Sequence, residues 1–224
     1  MDRGTKKMKV LELFAGSRSF SKVAEELRHD TYATDIEDFG NINQVCDIFD
    51  FNIDKMLNEF GKPDIIWASP PCQSFSVAAI GKNWTGGHRA YIPKTEKAKL
   101  SIEIIAQTLW IIKTLEPKYF YIENPRGMLR KLPIITNENF IRHTVWYCQY
   151  YNSKKDTIKR AKPTDIWTND YNWNPRPICK NGNPDCDHER APRGSRTGTQ
   201  GLKNDYERSK VPYELCKEIL KGLK

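Results

Sequence analysis

Residues 64–76 read Asp-Ile-Ile-Trp-Ala-Ser-Pro-Pro-Cys-Gln-Ser-Phe-Ser, a short apolar run followed by two prolines and a cysteine. The apolar run predicts a buried strand, and Pro70 and Pro71 end it because proline donates no ladder hydrogen bond. Cys72 is therefore expected at the carboxyl end of a strand, where open α/β sheets bind their ligands. Position alone does not make the thiol reactive, since an isolated cysteine is more often a small buried hydrophobe.

The first 35 residues predict a strand, a turn at Ala15-Gly16-Ser17, a helix and a second strand, because the apolar spacing changes along them. The second strand delivers Asp35 nineteen residues after Gly16. At this spacing a nucleotide-binding fold places a carboxylate against ribose hydroxyls. Arg18 and Ser19 stand where further glycines are expected, which favours a nucleoside without a pyrophosphate.

A third, short strand is predicted over residues 45–48 and carries Asp47, a carboxylate suited to an adenine amino group. A turn or capping role is the more common one for such an aspartate. Further along, the loop over residues 79–93 contains Lys82 and Arg89, which suit contact with a phosphate backbone.

A second polar motif follows a strand predicted over residues 119–122, where Glu123-Asn124-Pro125 again ends an apolar run with a proline. The two strands therefore present a thiol and a carboxylate at one sheet edge. A lone glutamate at a strand end is usually solvated, but one held against an aromatic pocket can have a raised pKa and donate a proton.

Taken together, these motifs resemble the DNA cytosine-5 methyltransferase family over most of the chain. The matching residues, in the family's order, are Leu13-Phe14-Ala15-Gly16, Asp35, Asp47, Ser69 to Ser76, Glu123-Asn124, and Ser209-Lys210-Val211-Pro212 before a final helix. The resemblance implies an α/β fold with a doubly wound, mostly parallel sheet, the Rossmann-like fold of S-adenosylmethionine-dependent methyltransferases. It also implies a small irregular C-terminal recognition segment.

The resemblance further implies roles for particular side chains. Cys72 would add to C6 of a flipped-out cytosine, Glu123 would bind the ring N3 and amino group, and Asn124 would fix the loop. The family's basic segment is not recognisable, and Arg160, with Lys162, is the nearest candidate for its role. The residues expected to bind S-adenosylmethionine are Phe14, Ala15, Gly16, Ser17, Asp35, Ile36, Asp47, Ile48, Pro70, Ser209 and Val211.

Basic charge is concentrated in the C-terminal third of the chain. The net charge is +8, and residues 151–224 carry 16 basic against 10 acidic side chains, whereas the first 150 carry 20 against 18. Such a surface favours a polyanion, although a solvated lysine-rich face is also common. The expected DNA contacts are Gln73, Ser76, Lys82, Arg89, Arg190, Arg193 and Arg196, the last three in a segment for which a solvated loop is an equal alternative.

The expected organisation is a catalytic and cofactor-binding domain over residues 1–168, a target-recognition segment over 169–206, and a helix over 207–224 that returns to the catalytic domain. Residues 144–150 and 164–168 predict the last two strands, and no period emerges after residue 170. Within that segment Cys179, Cys186 and His188 are candidate zinc ligands, completed by Cys148 or another residue. Free thiols with a surface histidine are the alternative.

Six scattered cysteines and the lack of an apolar leader favour a reducing, cytoplasmic setting, and no apolar stretch reaches membrane-spanning length. We expect a monomer that acts on DNA. Three alternatives stay open: an enzyme that methylates amino groups of DNA, an RNA-directed methyltransferase, and a catalytically silent nucleic-acid-binding protein on the same scaffold. The amino-methylating alternative would want an aromatic residue after the paired prolines, where Cys72 stands.

Overall fold

The computed structural model describes residues 6–86, 91–180, 182–188 and 204–223. Within these ranges the strands are β1 Lys9–Leu13, β2 Asp30–Asp35, β3 Gln44–Val45, β4 Ile65–Ala68, β5 Trp84–Thr85, β6 Ile92–Pro93, β7 Tyr119–Pro125, β8 Ile141–Trp146 and β9 Pro163–Thr168. The α-helices are α1 Ser19–Glu26, α2 Ile53–Glu59, α3 Ile80–Asn83, α4 Glu96–Leu115, α5 Pro133–Thr136, α6 Asp205–Ser209 and α7 Tyr213–Gly222. Short 3₁₀ turns occur at Ile48–Asp50, Val77–Ala79, Leu129–Lys131 and Tyr147–Tyr150.

Seven of the strands form one sheet in the order β3-β2-β1-β4-β7-β9-β8. The first five are parallel, and β9 runs antiparallel to both of its neighbours. The chain order reverses between β1 and β4, and doubly wound sheets bind ligands outside the carboxyl ends of the strands at such a point. This sheet confirms the predicted α/β, doubly wound, mostly parallel fold.

Strand β4 shows how both faces of the sheet are covered. Its side chains alternate between the two faces, as a strand requires. Ile65 and Trp67 belong to the core that includes α1 and α7, whereas Ile66 and Ala68 belong to the core that includes α4. All four residues are buried, which explains why this strand is a continuous apolar run.

Helix α7 returns from the C-terminal end to pack against α1 on one face of the sheet. Leu215 and Ile219, four residues apart, are both buried there with Phe20 and Val23 of α1. Because α1 begins directly after the turn at Gly16, the last residues of the chain lie next to the first turn of the fold.

Three strand predictions end at the wrong residue, and the strand expected over residues 119–122 continues through Glu123 and Asn124 to Pro125. The strand expected over residues 45–48 stops at Val45, and Asp47 instead caps a 3₁₀ turn by accepting a hydrogen bond from the Phe49 N–H at 3.1 Å. The strand expected over residues 144–150 stops at Trp146, where the Tyr147–Tyr150 turn begins. Because a 3₁₀ turn has three residues per turn, Tyr147 and Tyr150 lie on the same side of it and are both buried. From the sequence pattern alone, these buried residues look like part of a strand.

The loop after Cys72 contains more structure than the sequence predicts, since β5 and β6 pair there as a small antiparallel hairpin. By contrast, residues 169–180 and 182–188 contain no helix or strand, as expected of the irregular segment. Within the described ranges, no helix is both long enough and apolar enough to cross a membrane.

Candidate active site

The Cys72 loop and the segment after β7 are tied together at Gly127. The Met128 N–H donates to the Phe75 carbonyl oxygen at 2.7 Å, and Ser76 forms a β-bridge with Gly127. A Cβ added to Gly127 would lie only 2.1 Å from that carbonyl oxygen. The two segments therefore approach so closely that only glycine fits.

Asn124 forms a second tie between the same two segments. Its side chain is fully buried, and its Nδ2 donates to the Pro70 carbonyl oxygen at 2.9 Å. This hydrogen bond fixes the proline pair that precedes Cys72. The Asn124 Oδ1 atom is buried with no hydrogen-bond partner in the part of the chain that the structure describes.

Cys72 is partly exposed, at the carboxyl end of β4. Burial of the sulfur raises the pKa of the Cys72 thiol, the Lys162 ammonium acts to lower that pKa, and the Glu123 carboxylate acts to raise it. The net direction is upward, so the neutral thiol is favoured before substrate binds. Lys162 is thus the neighbouring cation that most limits the cost of forming a thiolate, and Arg208 acts in the same direction.

Glu123 is buried in β7 with only 4% of its surface exposed. The Tyr147 hydroxyl donates to its Oε1 at 2.7 Å, and the Lys162 Nζ lies 3.6 Å from the same oxygen. Lys162 also lies over the Tyr147 ring, 4.8 Å from its centroid. A carboxylate can accept further hydrogen bonds, so Glu123 retains capacity for a donor on a bound base.

Arg160 and Lys162, the two basic candidates near the end of the catalytic domain, occupy different places. The Arg160 guanidinium donates to the carbonyl oxygens of Glu207 at 2.8 Å and of Lys210 at 2.7 Å. Lys162 also donates to the Arg208 carbonyl, at 3.2 Å, but in addition contacts Glu123. Arg160 therefore holds the chain before α7 in place, whereas Lys162 is the cation at the Cys72 and Glu123 pair.

A cavity of about 790 Å³ opens at the carboxyl ends of β1, β2 and β3. Seven of the expected cofactor residues line it, namely Phe14, Gly16, Asp35, Ile36, Asp47, Ile48 and Ser209. Ser69, Pro71 and Gln73 also line it, so the cavity borders the Cys72 loop.

The other four expected cofactor residues do not line this cavity. Ala15 and Pro70 are buried, and neither lines its wall. Ser17 and Val211 line a separate cavity of about 230 Å³ between α1 and the segment before α7. The Val211 N–H donates to the Ser19 hydroxyl oxygen at 3.2 Å, which brings the final motif against the first turn.

Three residues of the turn after β1 have a left-handed backbone conformation, although two of them are not glycine. Phe14, Gly16 and Arg18 have φ values of 57°, 48° and 55°. The left-handed region costs a non-glycine residue of order 1 kcal/mol. The buried Arg18 side chain is held there by an ion pair with the exposed Glu25 carboxylate. The Gly16 N–H donates to the Asp35 Oδ2 at 2.8 Å and so fixes the carboxylate at the cavity.

The expected DNA-contacting residues are only partly described. Gln73 and Lys82 are exposed on the side of the molecule that carries the Cys72 loop, while Ser76 is half-buried in the bridge to Gly127. Arg89, Arg190, Arg193 and Arg196 lie outside the described residues.

The three residues expected to bind metal are brought together, and Cys148 is the fourth member. The ligand atoms of Cys148, Cys179, Cys186 and His188 all lie within 4.8 Å of one another. Cys148 follows β8 in the Tyr147–Tyr150 turn, and the other three come from the irregular segment.

Two contributions to the site had no clear signal in the sequence. Tyr147 contacts Glu123 only because its turn follows β8, and the close contact of Gly127 depends on the path of the Cys72 loop. Arg160 and Lys162 were both candidates for the role of the family's basic segment. Only the position of β9 in the sheet shows that Lys162 is the one that contacts Glu123.

A doubly wound sheet with a nucleoside-sized cavity at the carboxyl ends of its strands, beside the loop that carries Cys72, fits the Rossmann-like class of methyltransferases. The sequence model of the C-5 cytosine-specific DNA methylase family matches residues 8–143, and the chain belongs to that family. Its activity is accordingly that of a DNA (cytosine-5)-methyltransferase.

Known proteins are similar over much of the chain. The probable DNA (cytosine-5)-methyltransferase of frog virus 3 (isolate Goorha) is 27% identical over 226 residues, which cover 95% of this chain and 99% of the relative. A solved prophage-encoded protein from E. coli, described as a DNA modification methyltransferase, is 14% identical with a TM-score of 0.48, over 72% of this chain and 46% of that one. A SAM-dependent methyltransferase from Agrobacterium tumefaciens is 14% identical with a TM-score of 0.37, over 75% and 56%. The chain thus spans about half the length of these two solved proteins.

Proposed function

We propose that this protein transfers a methyl group from S-adenosylmethionine to C5 of a cytosine flipped out of DNA, through a transient bond between Cys72 and C6. The observation that supports this most strongly is the double tie, at Gly127 and Asn124, that holds the Cys72 loop beside Glu123 and next to the 790 Å³ cavity. A nucleophile, a buried carboxyl group and a cofactor-sized cavity then share one sheet edge.

The lining of the cavity fits S-adenosylmethionine in its chemistry. Asp35, fixed by the Gly16 N–H, suits ribose hydroxyls, and the apolar side chains of Ile36 and Ile48 suit an adenine ring. Asp47 offers a carboxylate for the adenine amino group. When bound, this cofactor supplies an electrophilic methyl group on a sulfonium centre.

The neutral Cys72 thiol first gives up its proton to solvent and then reacts as a thiolate. Its sulfur forms a bond to C6, and the C5–C6 π electrons move into the ring, where they are shared by C5 and N3. Glu123 accepts a hydrogen bond from the amino group and shares a proton with N3, which stabilises the charge that develops there. Carbon 5 thereby becomes nucleophilic enough to accept a methyl group.

Release reverses the addition. Once C5 carries both a methyl group and a hydrogen, a base removes the C5 proton, the electron pair re-forms the C5–C6 double bond, and the sulfur of Cys72 leaves as a thiolate. Lys162 stabilises that thiolate at the start and at the end of the cycle, since it acts to lower the pKa of Cys72.

The base must leave the duplex to reach this pocket, which costs a few kcal/mol of unstacking and unpairing. The exposed Gln73 and Lys82 would contact the opened strand, and the basic C-terminal third would neutralise backbone phosphates. We assign target recognition to residues 169–206 and the chemistry to residues 1–168, with the chain acting as a monomer.

The deciding experiment uses duplex DNA that contains 5-fluorocytosine, because fluorine at C5 cannot leave as a cation and the adduct is trapped. The full-length protein with S-adenosylmethionine should form a covalent complex that survives denaturing electrophoresis. Cys72→Ser should bind cofactor, as measured by calorimetry, but form no adduct. Cofactor binding without an adduct in the wild-type protein, on a pool of random duplexes, would contradict the mechanism. Label on adenine or on the cytosine amino group would also contradict it.

A further inference from the structure

Four side chains that take no part in the reaction above form a compact cluster. The cluster consists of Cys148, Cys179, Cys186 and His188, which we call the cysteine cluster. The first two and the histidine are buried, and Cys186 is half-buried. Each of the three cysteines is a free thiol rather than half of a disulfide.

Two of the donor-atom distances are close to those of a tetrahedral site, and all four donor atoms lie within 4.8 Å of one another. The His188 Nδ1 lies 3.4 Å from the Cys179 Sγ and 3.3 Å from the Cys186 Sγ. Zn–S distances of ~2.3 Å and Zn–N distances of ~2.0 Å require donor separations of roughly 3.6 to 3.8 Å in a tetrahedron. The cluster therefore needs only shifts of a few tenths of an ångström at these contacts to surround an ion.

The chemistry of the donor set favours zinc. Three thiolates and one imidazole make a closed Cys₃His set, which is typical of structural zinc and leaves no position for substrate. The Asn183 Nδ2 lies 3.5 Å from the Cys179 Sγ and donates to it, the kind of second contact that orients a thiolate ligand.

The part of the segment around the cluster contains little regular structure, although Trp173 and Arg176 anchor the residues that precede it. Residues 169–180 and 182–188 form no helix or strand, and large side chains such as Tyr171 and Ile178 point into solvent, 73% and 57% exposed. Cys179 and His188 are instead buried against Trp146, whose ring centroid lies 6.4 Å from that of His188. A metal cross-link supplies folding energy where a hydrophobic core is too small.

We infer that Cys148, Cys179 and Cys186, through Sγ, and His188, through Nδ1, bind one structural zinc ion that fixes the recognition segment to the end of β8. Cys148 directly follows Tyr147, whose hydroxyl contacts Glu123. The ion thus fastens the DNA-reading segment to the same turn that supports the catalytic carboxyl group. This inference is independent of the proposed covalent mechanism.

Metal content is the direct test. Full-length protein purified without chelator from zinc-supplemented cells should contain about one zinc per chain by plasma mass spectrometry. Cys186→Ala and His188→Ala should lose it, whereas Cys46→Ala, a cysteine outside the cluster, should keep it. His188→Cys should retain the metal, because four thiolates also form a closed site.

Cobalt replacement keeps the test decisive where a variant fails to fold. Wild-type protein reconstituted with Co²⁺ should show the intense visible bands of tetrahedral thiolate coordination. In the zinc form, maleimide should label Cys72 and spare the three cluster cysteines until a chelator is added. Wild-type protein that holds no zinc and gives no cobalt bands would overturn the inference. So would zinc retained in Cys186→Ala, or cluster cysteines labelled equally with and without chelator.

Discussion

Replacing Gly127 by alanine should separate the Cys72 loop from the segment after β7. The new Cβ would lie 2.1 Å from the Phe75 carbonyl oxygen and 3.1 Å from its carbon. Ordinary contact begins near 3.4 Å, so the Cys72 loop must retreat by roughly 1.3 Å. The 2.7 Å hydrogen bond from the Met128 N–H to the same oxygen would be lost or badly stretched.

The expected cost follows from that displacement. Overpacking of this kind destabilises by roughly 1 to 3 kcal/mol, which lowers the Tm of a chain of this size by roughly 2 to 12 °C. A displacement of about 1 Å between reacting groups can reduce kcat/KM by roughly 100-fold. Binding of S-adenosylmethionine should change less than kcat/KM, because most of the 790 Å³ cavity is lined by residues outside the Cys72 loop.

Gly222→Ala is the matched control, since a Cβ there meets no atom within 4 Å and the residue ends a helix. That variant should keep the wild-type Tm or slightly exceed it, because alanine is favoured over glycine in a helix. Methyl transfer to duplex DNA, calorimetric cofactor binding and thermal melting are measured on both variants. A Gly127→Ala protein with wild-type kcat/KM and Tm would refute the claim that the two segments are in fixed contact.

Three further substitutions test single contacts. Lys162→Met removes the cation that acts to lower the pKa of Cys72, so the pH at which Cys72 reacts with iodoacetamide should rise, as followed by peptide mass spectrometry. Asn124→Asp removes the donor to the Pro70 carbonyl and buries a carboxyl group, whose pKa should be raised by desolvation. The loss of Tm should therefore be large at pH 8 and shrink as the pH falls and the new group becomes neutral. Arg160→Lys cannot keep both carbonyl contacts before α7, so the KM for S-adenosylmethionine should rise by about 10-fold with a smaller change in kcat.

Each of these three has a clear contrary result. Lys82 lies on the surface of α3, and an equal shift of the Cys72 alkylation profile in Lys82→Met would show that the effect is not local. A loss of Tm in Asn124→Asp that is constant from pH 5 to pH 8 would place the new carboxyl group in solvent. For Arg160→Lys, a reduced kcat with an unchanged KM would argue against a role in shaping the cavity.

The strands near the site were predictable because strong local signals bound them. The run that forms β4 is buried on both faces and stops at a proline pair, and β7 stops in the same way at Pro125. The errors at residues 45–48 and 144–150 have one cause. In both places a 3₁₀ turn follows a strand directly, and apolar residues in such a turn look like a continuation of the strand.

Contacts between distant segments were less accessible to prediction. Cys179, Cys186 and His188 could be grouped as metal ligands because they are close in the sequence. Cys148 is distant in the sequence and could be named only as a candidate fourth ligand. The placement of Lys162 at Glu123, and of Arg160 at the chain before α7, depends on how β9 lies in the sheet. The type and spacing of side chains do not reveal the position or direction of β9 in the sheet.

The reversed direction of β9 has a consequence for how the polypeptide is routed. Because β9 runs antiparallel to β7, its first residues lie opposite Pro125 and Asn124, next to Glu123. Lys162, just ahead of the strand, therefore reaches Glu123. By the same geometry Thr168 emerges at the opposite rim, one strand length or roughly 20 Å away. Residues 169–180 and 182–188 therefore have to return toward the rim at which the parallel strands end. The cysteine cluster lies where this segment reaches the end of β8, because Cys148 lies in the turn that directly follows that strand.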